Sequence, residues 1–547
     1  MKGVLEVTPE KLRGGFYTPD ALVSFCLNRV AELSTADEPS VLEPSAGDGA
    51  FLRGLLSTWP KSAPVGSVTA VEIDPAEAER CRAVLHGRPG RVVTGSVLRW
   101  ALDERREYDV AVGNPPFVRF QFVSAADRTA AVELSERLGV SPRGVANLWI
   151  PVLLAAIHRL RAGGAFSFVV PTECFTGASA GHLREWLLRE TDRVTVDLFP
   201  PGSFPRVLQE VAVLSGVRTR PAQATLTIRQ RASTGTVEAR TLAVPVDRQS
   251  WTRYLLDARQ QDALAAASAL PAMRSLGEIA RFEVSIVTGA NGFFSVDDAT
   301  VERWDLGPWC EPLLARIRHA PGLRFVPADH RRLQSEGLPA WLLNFTEGAP
   351  DPEAAERSAA YLRHGEEQGL HRRFKCRIRE PWFRVPNFQR GDLMLSKRSH
   401  QYPRMVVNEA AVYTTDTIYR GRMISRSLSA RALAALFHNS LTLLTAEIEG
   451  RSFGGGVLEL VPSEVARLVV PVFAAASGWL ARLDRLARDA AEEDLVAATD
   501  SALVEAGVLD AGVLEVLADA RRLLLDRRLE RNAQPRSEQD APVLLAA

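Results

Sequence analysis

Cysteine is scarce: Cys26, Cys81, Cys174, Cys310 and Cys376 are the only five in 547 residues, and they form no Cys-x-x-Cys pair and have no paired histidines nearby. That spacing excludes a disulfide framework and a zinc site, leaves no metal-binding residues to name, and suits reduced thiols in a cytosol. No apolar run approaches the length of a bilayer-spanning helix, and the opening Met1-Lys2-Gly3-Val4-Leu5-Glu6-Val7 lacks a signal-peptide core. A soluble cytoplasmic protein with no membrane partner is therefore expected. Neither sign of charge is in excess, since 66 Lys and Arg balance 66 Asp and Glu, and no global basic field announces a nucleic-acid partner. No internal repeat recurs at a fixed period. The length exceeds one ordinary domain and predicts two or three, each with its own core.

What the chain does have is Asn114-Pro115-Pro116-Phe117, directly after the strand-like run Tyr108 to Gly113. The prolines fix φ and lack N–H donors, so the turn is rigid and its carbonyl oxygens stay available. The Asn114 amide oxygen and the Pro115 carbonyl are suited to accept together from one NH2 group, which draws that nitrogen toward sp3 character and exposes its lone pair. Phe117 offers a flat face to a planar substrate such as a nucleobase, worth about 1–3 kcal/mol of stacking. Taken alone, the tetrapeptide also fits a strand-ending turn with a core Phe. Upstream, Val41 to Gly49 (VLEPSAGDG) reads as a buried strand entering a glycine turn, followed by an amphipathic helix from about Ala50 to Trp59. A second strand, Val68 to Asp74, ends in acids suited to the two hydroxyls of a ribose. A third strand lies near Arg91 to Val97, so the run to Asn114 completes a βαβ series in an α/β fold.

Glycine turn, acidic strand end and Asn-Pro-Pro-Phe in this order resemble the N6-adenine DNA methyltransferases of the gamma, or TaqI-like, class. The likeness implies a Rossmann-like class I methyltransferase domain that uses S-adenosyl-L-methionine. Phe16-Tyr17-Thr18-Pro19 matches the family's aromatic-x-Thr-Pro element, which would bring Thr18 to the methionine carboxylate of the cofactor. Glu43, Ser45, Gly47 and Gly49 would line the methionine part, Glu72 would hold the ribose hydroxyls and Ile73 would pack on the adenine. Where the family usually has Asp followed by Phe to bind and stack that adenine, this chain has Ser96-Val97, which implies looser cofactor binding. Asn147-Leu148-Trp149 opens the central methyltransferase helix, and Ala165 to Pro171 matches the fifth strand. Phe204, in Gly202-Ser203-Phe204-Pro205, matches the second aromatic that sandwiches a flipped adenine against Phe117. It also reads as an ordinary loop anchor. The mechanism so implied is direct methyl transfer to an extruded base, with no covalent enzyme intermediate and no dedicated base.

The expected domains are a catalytic domain over 1–220, a mixed α+β target-recognition domain over 221–475, and C-terminal helices with a loose tail over 476–547. Between His371 and Arg431, 14 Lys or Arg face 4 Asp or Glu and alternate with Phe374, Trp382, Phe383, Phe388, Tyr402, Tyr413 and Tyr419. Such interleaving fits a groove tracking phosphates, with Arg372, Arg373, Arg377, Arg379 and Lys397 as the DNA-binding candidates. A solvated basic face over an aromatic core is the other reading. Thr288 to Phe294 and Arg451 to Pro462 resemble parts of the family's recognition region. The expected partner is double-stranded DNA, in a bacterial cytoplasm and associated with the nucleoid, with a separately encoded restriction endonuclease as a further partner. The early position of Thr18 and the short helical tail lead to the expectation of methylation without a fused nuclease. Two rivals stand beside this reading: a methyltransferase of an RNA base or a protein glutamine amine, and a non-catalytic DNA specificity protein.

Overall fold

The computed structural model describes residues 18–60, 64–141, 147–200, 211–231, 236–346, 348–351, 356–453, 456–489 and 492–530. Two compact units divide the chain, one essentially Val7–Leu255 and the other Leu256–Ser452 with Gly456–Leu529.

The first unit is built on one nine-stranded sheet. Helix α1 (Asp20–Leu33) precedes β1 (Ser40–Glu43), α2 (Ala50–Ser57), β2 (Ser67–Glu72), α3 (Pro75–Leu85), β3 (Gly90–Thr94), α4 (Val97–Asp103), β4 (Tyr108–Gly113), α5 (Ala125–Arg137), α6 (Trp149–His158) and β5 (Leu160–Pro171). There follow α7 (Gly181–Glu190), β6 (Asp192–Leu198), β7 (Val211–Val217), β8 (Thr225–Arg231) and β9 (Val237–Ala243). The strand order is β3-β2-β1-β4-β5-β7-β6-β8-β9. The first five strands pair in parallel, and β7 enters antiparallel to both β5 and β6. The order reverses at β1, so the crevice for a ligand opens at the carboxyl ends of β1 and β4. This is the class I S-adenosylmethionine-dependent methyltransferase fold.

Local sequence explains the elements. The strands β1, β2 and β4 are buried nearly throughout, as parallel strands covered on both faces must be. Helix α6 is apolar on every face and is buried from Trp149 to Ile157. Asp74 caps α3, accepting from the N–H groups of Ala76 and Glu77 at 2.9 and 3.3 Å, and Pro75 occupies the first helical position. Arg29 of α1 reaches Asp197 of β6 through two hydrogen bonds of 3.1 Å, a buried bidentate pair that pins the helix to the sheet.

The expected boundary at residue 220 is corrected by β8 and β9. Strand β8 pairs in parallel with β6 over five residues, β9 closes on β8, and the Arg231 guanidinium lies 4.8 Å from the centre of the Phe25 ring. Cutting at 220 would strip two strands from the catalytic sheet, and the first unit instead continues to Leu255.

The second unit is mixed α+β. A five-stranded sheet runs in the order Ala280–Val284, Ile418–Met423, Leu393–Ser396, Met405–Asn408, Arg324–Phe325. Smaller sheets of four, three and two strands accompany it. The helices Leu480–Asp489, Glu492–Glu505 and Ala511–Glu530 belong to this same unit rather than to a separate region from 476. Hydrogen-bonded charges tie them in: the buried Arg528 donates to Glu447 and to the carbonyl of Gln401, and Arg488 donates to Asp329.

Candidate active site

A cavity of about 240 Å³ opens at the carboxyl ends of β1 to β4. Its wall holds Thr18, Glu43, Ser45, Gly47, Glu72, Ile73, Ser96, Val97, Asn114 and Pro116 from the sequence-derived set. Gly47 and Gly49 take positive φ, +53° and +81°, so a side chain at either would strain the turn. Gly49 stands outside the wall and acts through that conformation, as the residue preceding α2.

Hydrogen bonds join the parts. Glu72 accepts from the N–H of Gly47 at 2.7 Å and of Asp74 at 2.8 Å, so one carboxylate ties the glycine turn to the end of β2. The Ser45 hydroxyl donates to the Asn114 carbonyl at 3.2 Å. Asn114 Nδ2 donates to Thr18 Oγ1 at 3.1 Å. The other end of that amide, Asn114 Oδ1, is buried and has no hydrogen-bond partner among the described residues. The Pro116 carbonyl accepts from the Val118 N–H at 3.0 Å, whereas among the described residues nothing donates to the Pro115 carbonyl.

Glu43 is buried, and its Oε2 has no partner among the described residues. Burial, reinforced by the nearby Glu72 and Asp48 charges, pushes its pKa well above the ordinary carboxylate range. Burial also raises the pKa of Glu72, against the pull of its backbone donors. Asp48, Asp74, Glu77 and Asp127 add further carboxyls to the wall, and Ile73 presents an apolar side chain that is 54% exposed. An acidic cavity with an unpaired buried carboxyl and an uncovered apolar flank fits S-adenosyl-L-methionine, whose ammonium and sulfonium are cationic and whose adenine is flat and apolar.

Two aromatic expectations fare differently. Phe117 does not line the cavity, and packs half-buried against the core of the first unit. Phe204, like Phe16 and Tyr17, lies outside the described residues. The structure adds Leu98, Asp127, Leu148 and Val152 to the wall. Helix α6 was legible, but being apolar on every face it does not show which side meets the cavity. Asp127 is hidden by Ser124-Ala125-Ala126-Asp127, a helix-capping signature.

Residues 248–504 match the family model of the C-terminal domain of the Type II methyltransferase M.Eco57I, and residues 84–201 match that of the Eco57I restriction-modification methylase. The chain is 22% identical over 473 residues to the Type II methyltransferase M.XamI of Xanthomonas campestris pv. amaranthicola, covering 84% of this chain and 85% of that one. With the Type II methyltransferase M.AccI of Acinetobacter calcoaceticus it shares 18% identity over 455 residues, 78% of this chain and 79% of the relative. The chain is a DNA methyltransferase of the restriction-modification type. Among solved structures, the Type IIL restriction-modification enzyme MmeI in complex with DNA aligns over 96% of this chain and 74% of its own, with a TM-score of 0.49 and 12% identity.

The methyltransferase divides its basic candidates in two. Arg372, Arg373 and Arg377 are exposed, as is Lys375. Between them Phe374 is 52% exposed, with Lys375 and Arg377 over its ring at 5.6 and 5.7 Å. Arg379 is not free for phosphate, because it donates to the Thr288 and Val287 carbonyls at 2.8 and 2.6 Å. Lys397 faces Glu459 at 3.8 Å and is likewise engaged internally. The interleaved aromatics are mostly core: Trp382, Phe383, Tyr402 and Tyr419 are buried. In Thr288 to Phe294, Thr288, Phe293 and Phe294 are buried too, with Phe293 stacked on Tyr361 at 4.4 Å. Of the glycines in Arg451 to Pro462, 454 and 455 lie outside the described residues. Among the described residues no His, Cys, Asp and Glu group could hold a metal ion, and no helix is long and apolar enough to cross a membrane.

Proposed function

We propose that this chain is a site-specific N6-adenine DNA methyltransferase of the gamma, TaqI-like, kind. The observation that carries the reading is Asn114 Oδ1: a buried acceptor at the cofactor cavity, without a partner among the described residues, on an amide whose Nδ2 end is held by Thr18. Leaving such an atom unsatisfied costs on the order of 1–3 kcal/mol, and an arriving amine N–H removes that cost. An exocyclic amine donating to Asn114 Oδ1 and to the Pro115 carbonyl has both protons engaged, and its lone pair then points away from the turn. When bound, the cofactor supplies an electrophilic sulfonium methyl. Thr18, Glu43, Ser45, Gly47 and Glu72 would hold its methionine and ribose parts, and Ile73 with Val97 would cover its adenine.

An adenine within a duplex cannot reach this turn and must be extruded, at a cost of a few kcal/mol. Phe117, beside the turn, supplies a face for the extruded base. The exposed Arg372, Arg373 and Arg377 of the second unit are suited to phosphates. One matching family model is that of a restriction-modification methylase, and on that ground a separately encoded restriction endonuclease is proposed as a partner. The deciding experiment maps modified bases in genomic DNA from cells with and without the chain. N6-methyladenine at one recurring sequence is the expected result. Methylation confined to cytosine, RNA or protein glutamine would overturn the proposal.

A further inference from the structure

The strand Ala280–Val284 ends the five-stranded sheet of the second unit, and a groove of about 480 Å³ is lined by all five of its residues together with Ile424, Pro462, Ser463 and Ala466. On its inner side the strand pairs with Ile418–Met423, which sets Arg281 opposite Arg422 and Glu283 opposite Arg420. In the same register the Ile424 N–H donates to the Ile279 carbonyl at 3.0 Å, so by alternation Arg281 and Glu283 exchange the hydrogen bonds of this ladder. The N–H and C=O of Phe282, the C=O of Ala280 and the N–H of Val284 therefore point to the open edge, and among the described residues no other backbone group bonds them. The Ala280 N–H is spent on the Leu276 carbonyl. Such an edge is a template for another strand, and charge is a common way to block it. Here the charges are of opposite sign on one exposed face, with Arg281 and Glu283 3.0 Å apart. Val284 and Ile424 add apolar surface, 44% and 56% exposed.

We propose that this edge pairs antiparallel with the same edge of a second copy of the chain, about a two-fold axis through Phe282, and so joins the two sheets into one. The free groups set the register. Phe282 N–H donates to the Phe282 carbonyl of the second copy and its own carbonyl accepts in return, while each Val284 N–H donates to the opposite Ala280 carbonyl. Arg281 then faces Glu283 of the second copy in a non-hydrogen-bonded pair, where facing side chains come closest, and the symmetry repeats this ion pair. Within one copy Arg281 stands opposite Arg422, a like-charge pair that Glu283 of the second copy offsets. A slip of two residues either way would set Arg281 against Arg281 or Glu283 against Glu283, so charge holds the register. An unrelated strand finds the same backbone groups, but the charge order Arg281-Phe282-Glu283 is its own complement when reversed, which favours a second copy. Pairing also covers Val284, which comes to lie opposite Ala280 at the end of the strand beside Ile424.

The test uses neither cofactor nor DNA, so its outcome is separate from that of the adenine reading. Sedimentation equilibrium of the full chain should show a reversible dimer with a dissociation constant on the order of 1–100 µM, as suits a contact of two short strands. Arg281→Glu and Glu283→Arg each set like charges opposite one another and should weaken self-association by at least about 10-fold. Mixed in equal amounts the two variants are complementary again, and should associate with each other at near the parental strength. A dimer that neither substitution weakens, or a mixture of folded variants that stays monomeric, overturns the proposal. Glu283 also accepts from Arg420 at 2.9 Å, so its replacement bears on folding, and a second measurement needs no variant. Hydrogen exchange read at single amides of the parent should show protection of Phe282 and Val284 rising with protein concentration, while that of Glu283, bonded within its own sheet, changes far less. A parent that is monomeric at about 100 µM, or Phe282 and Val284 amides indifferent to concentration, also overturns it.

Discussion

At the residue scale, Asn114 and Glu43 are both buried polar groups held short of partners, and each makes a separable prediction. Asn114→Ala removes the acceptor that an amine would use at the moment of transfer. Single-turnover methylation should fall by about 100- to 1000-fold or more, the range seen when one preorganised polar contact is deleted. Cofactor affinity, read by calorimetry, should change by only a few-fold. Near-parental methylation would remove Asn114 from the chemistry. Glu43 behaves oppositely with respect to stability. Its pKa in the folded protein lies above its unfolded value, so its contribution is fully present below the unfolded pKa and is lost as pH rises through the folded one. Glu43→Gln cannot ionise. In the protein without cofactor it should be the more stable form, by on the order of 1–3 kcal/mol, and the gain should grow between pH 5 and pH 8. The same variant should lose most of the melting shift that S-adenosylmethionine gives the parent. A stability gain independent of pH would show that ionisation of Glu43 is not the source.

At the scale of elements, the segment from Leu370 to Arg379 separates surface from scaffold. Its exposed cations have no described acidic partner, whereas Arg379 grips two carbonyls of the Val287–Thr288 turn and Cys376 is buried beneath. Charge-neutralising replacement of Arg372, Arg373 and Arg377 should flatten the salt dependence of DNA binding by about 0.9 in log–log slope per lost phosphate contact. Cofactor binding should not move. Arg379→Ala should do the reverse, lowering the melting temperature while leaving the slope near the parental value. Equal slopes for the parent and the triple variant would leave the three arginines as solvated surface. Here the sequence misleads for a physical reason: a basic stretch with regularly placed aromatics looks the same whether the rings face solvent or a core. Only packing shows that Trp382 and Phe383 belong inside.

At the scale of the whole molecule, the division at Leu255 decides which pieces can stand alone. A fragment ending at Leu255 keeps all nine strands of the catalytic sheet, and should show a cofactor-dependent melting shift. One ending at residue 220 exposes the paired edge of β6 and the Phe25 face under Arg231, and should aggregate or give no cooperative transition. If the shorter fragment alone binds cofactor normally, the last two strands are dispensable and the division is misplaced. Strands β8 and β9 were hard to place from the sequence because their alternating polar pattern, with Thr and Arg at regular intervals, also suits a linker hairpin.

The sequence by itself determined the βαβ series, the order of glycine turn, acidic strand end and Asn-Pro-Pro-Phe, and so the methyltransferase fold and its cofactor. Those features are local: proline geometry, glycine conformations and strand hydrophobicity act within a few residues of where they are written. Tertiary structure alone decided what depends on atoms brought together from distant positions. It turned the Asn114 amide toward Thr18, left Glu43 Oε2 without a partner among the described residues, spent Arg379 and Lys397 on internal contacts, and joined Arg99 of one helix to Asp127 of another. A guanidinium carried by one helix and a carboxylate carried by another meet only when the chain folds, because hydrogen bonds answer to distance in space and not to separation along the sequence.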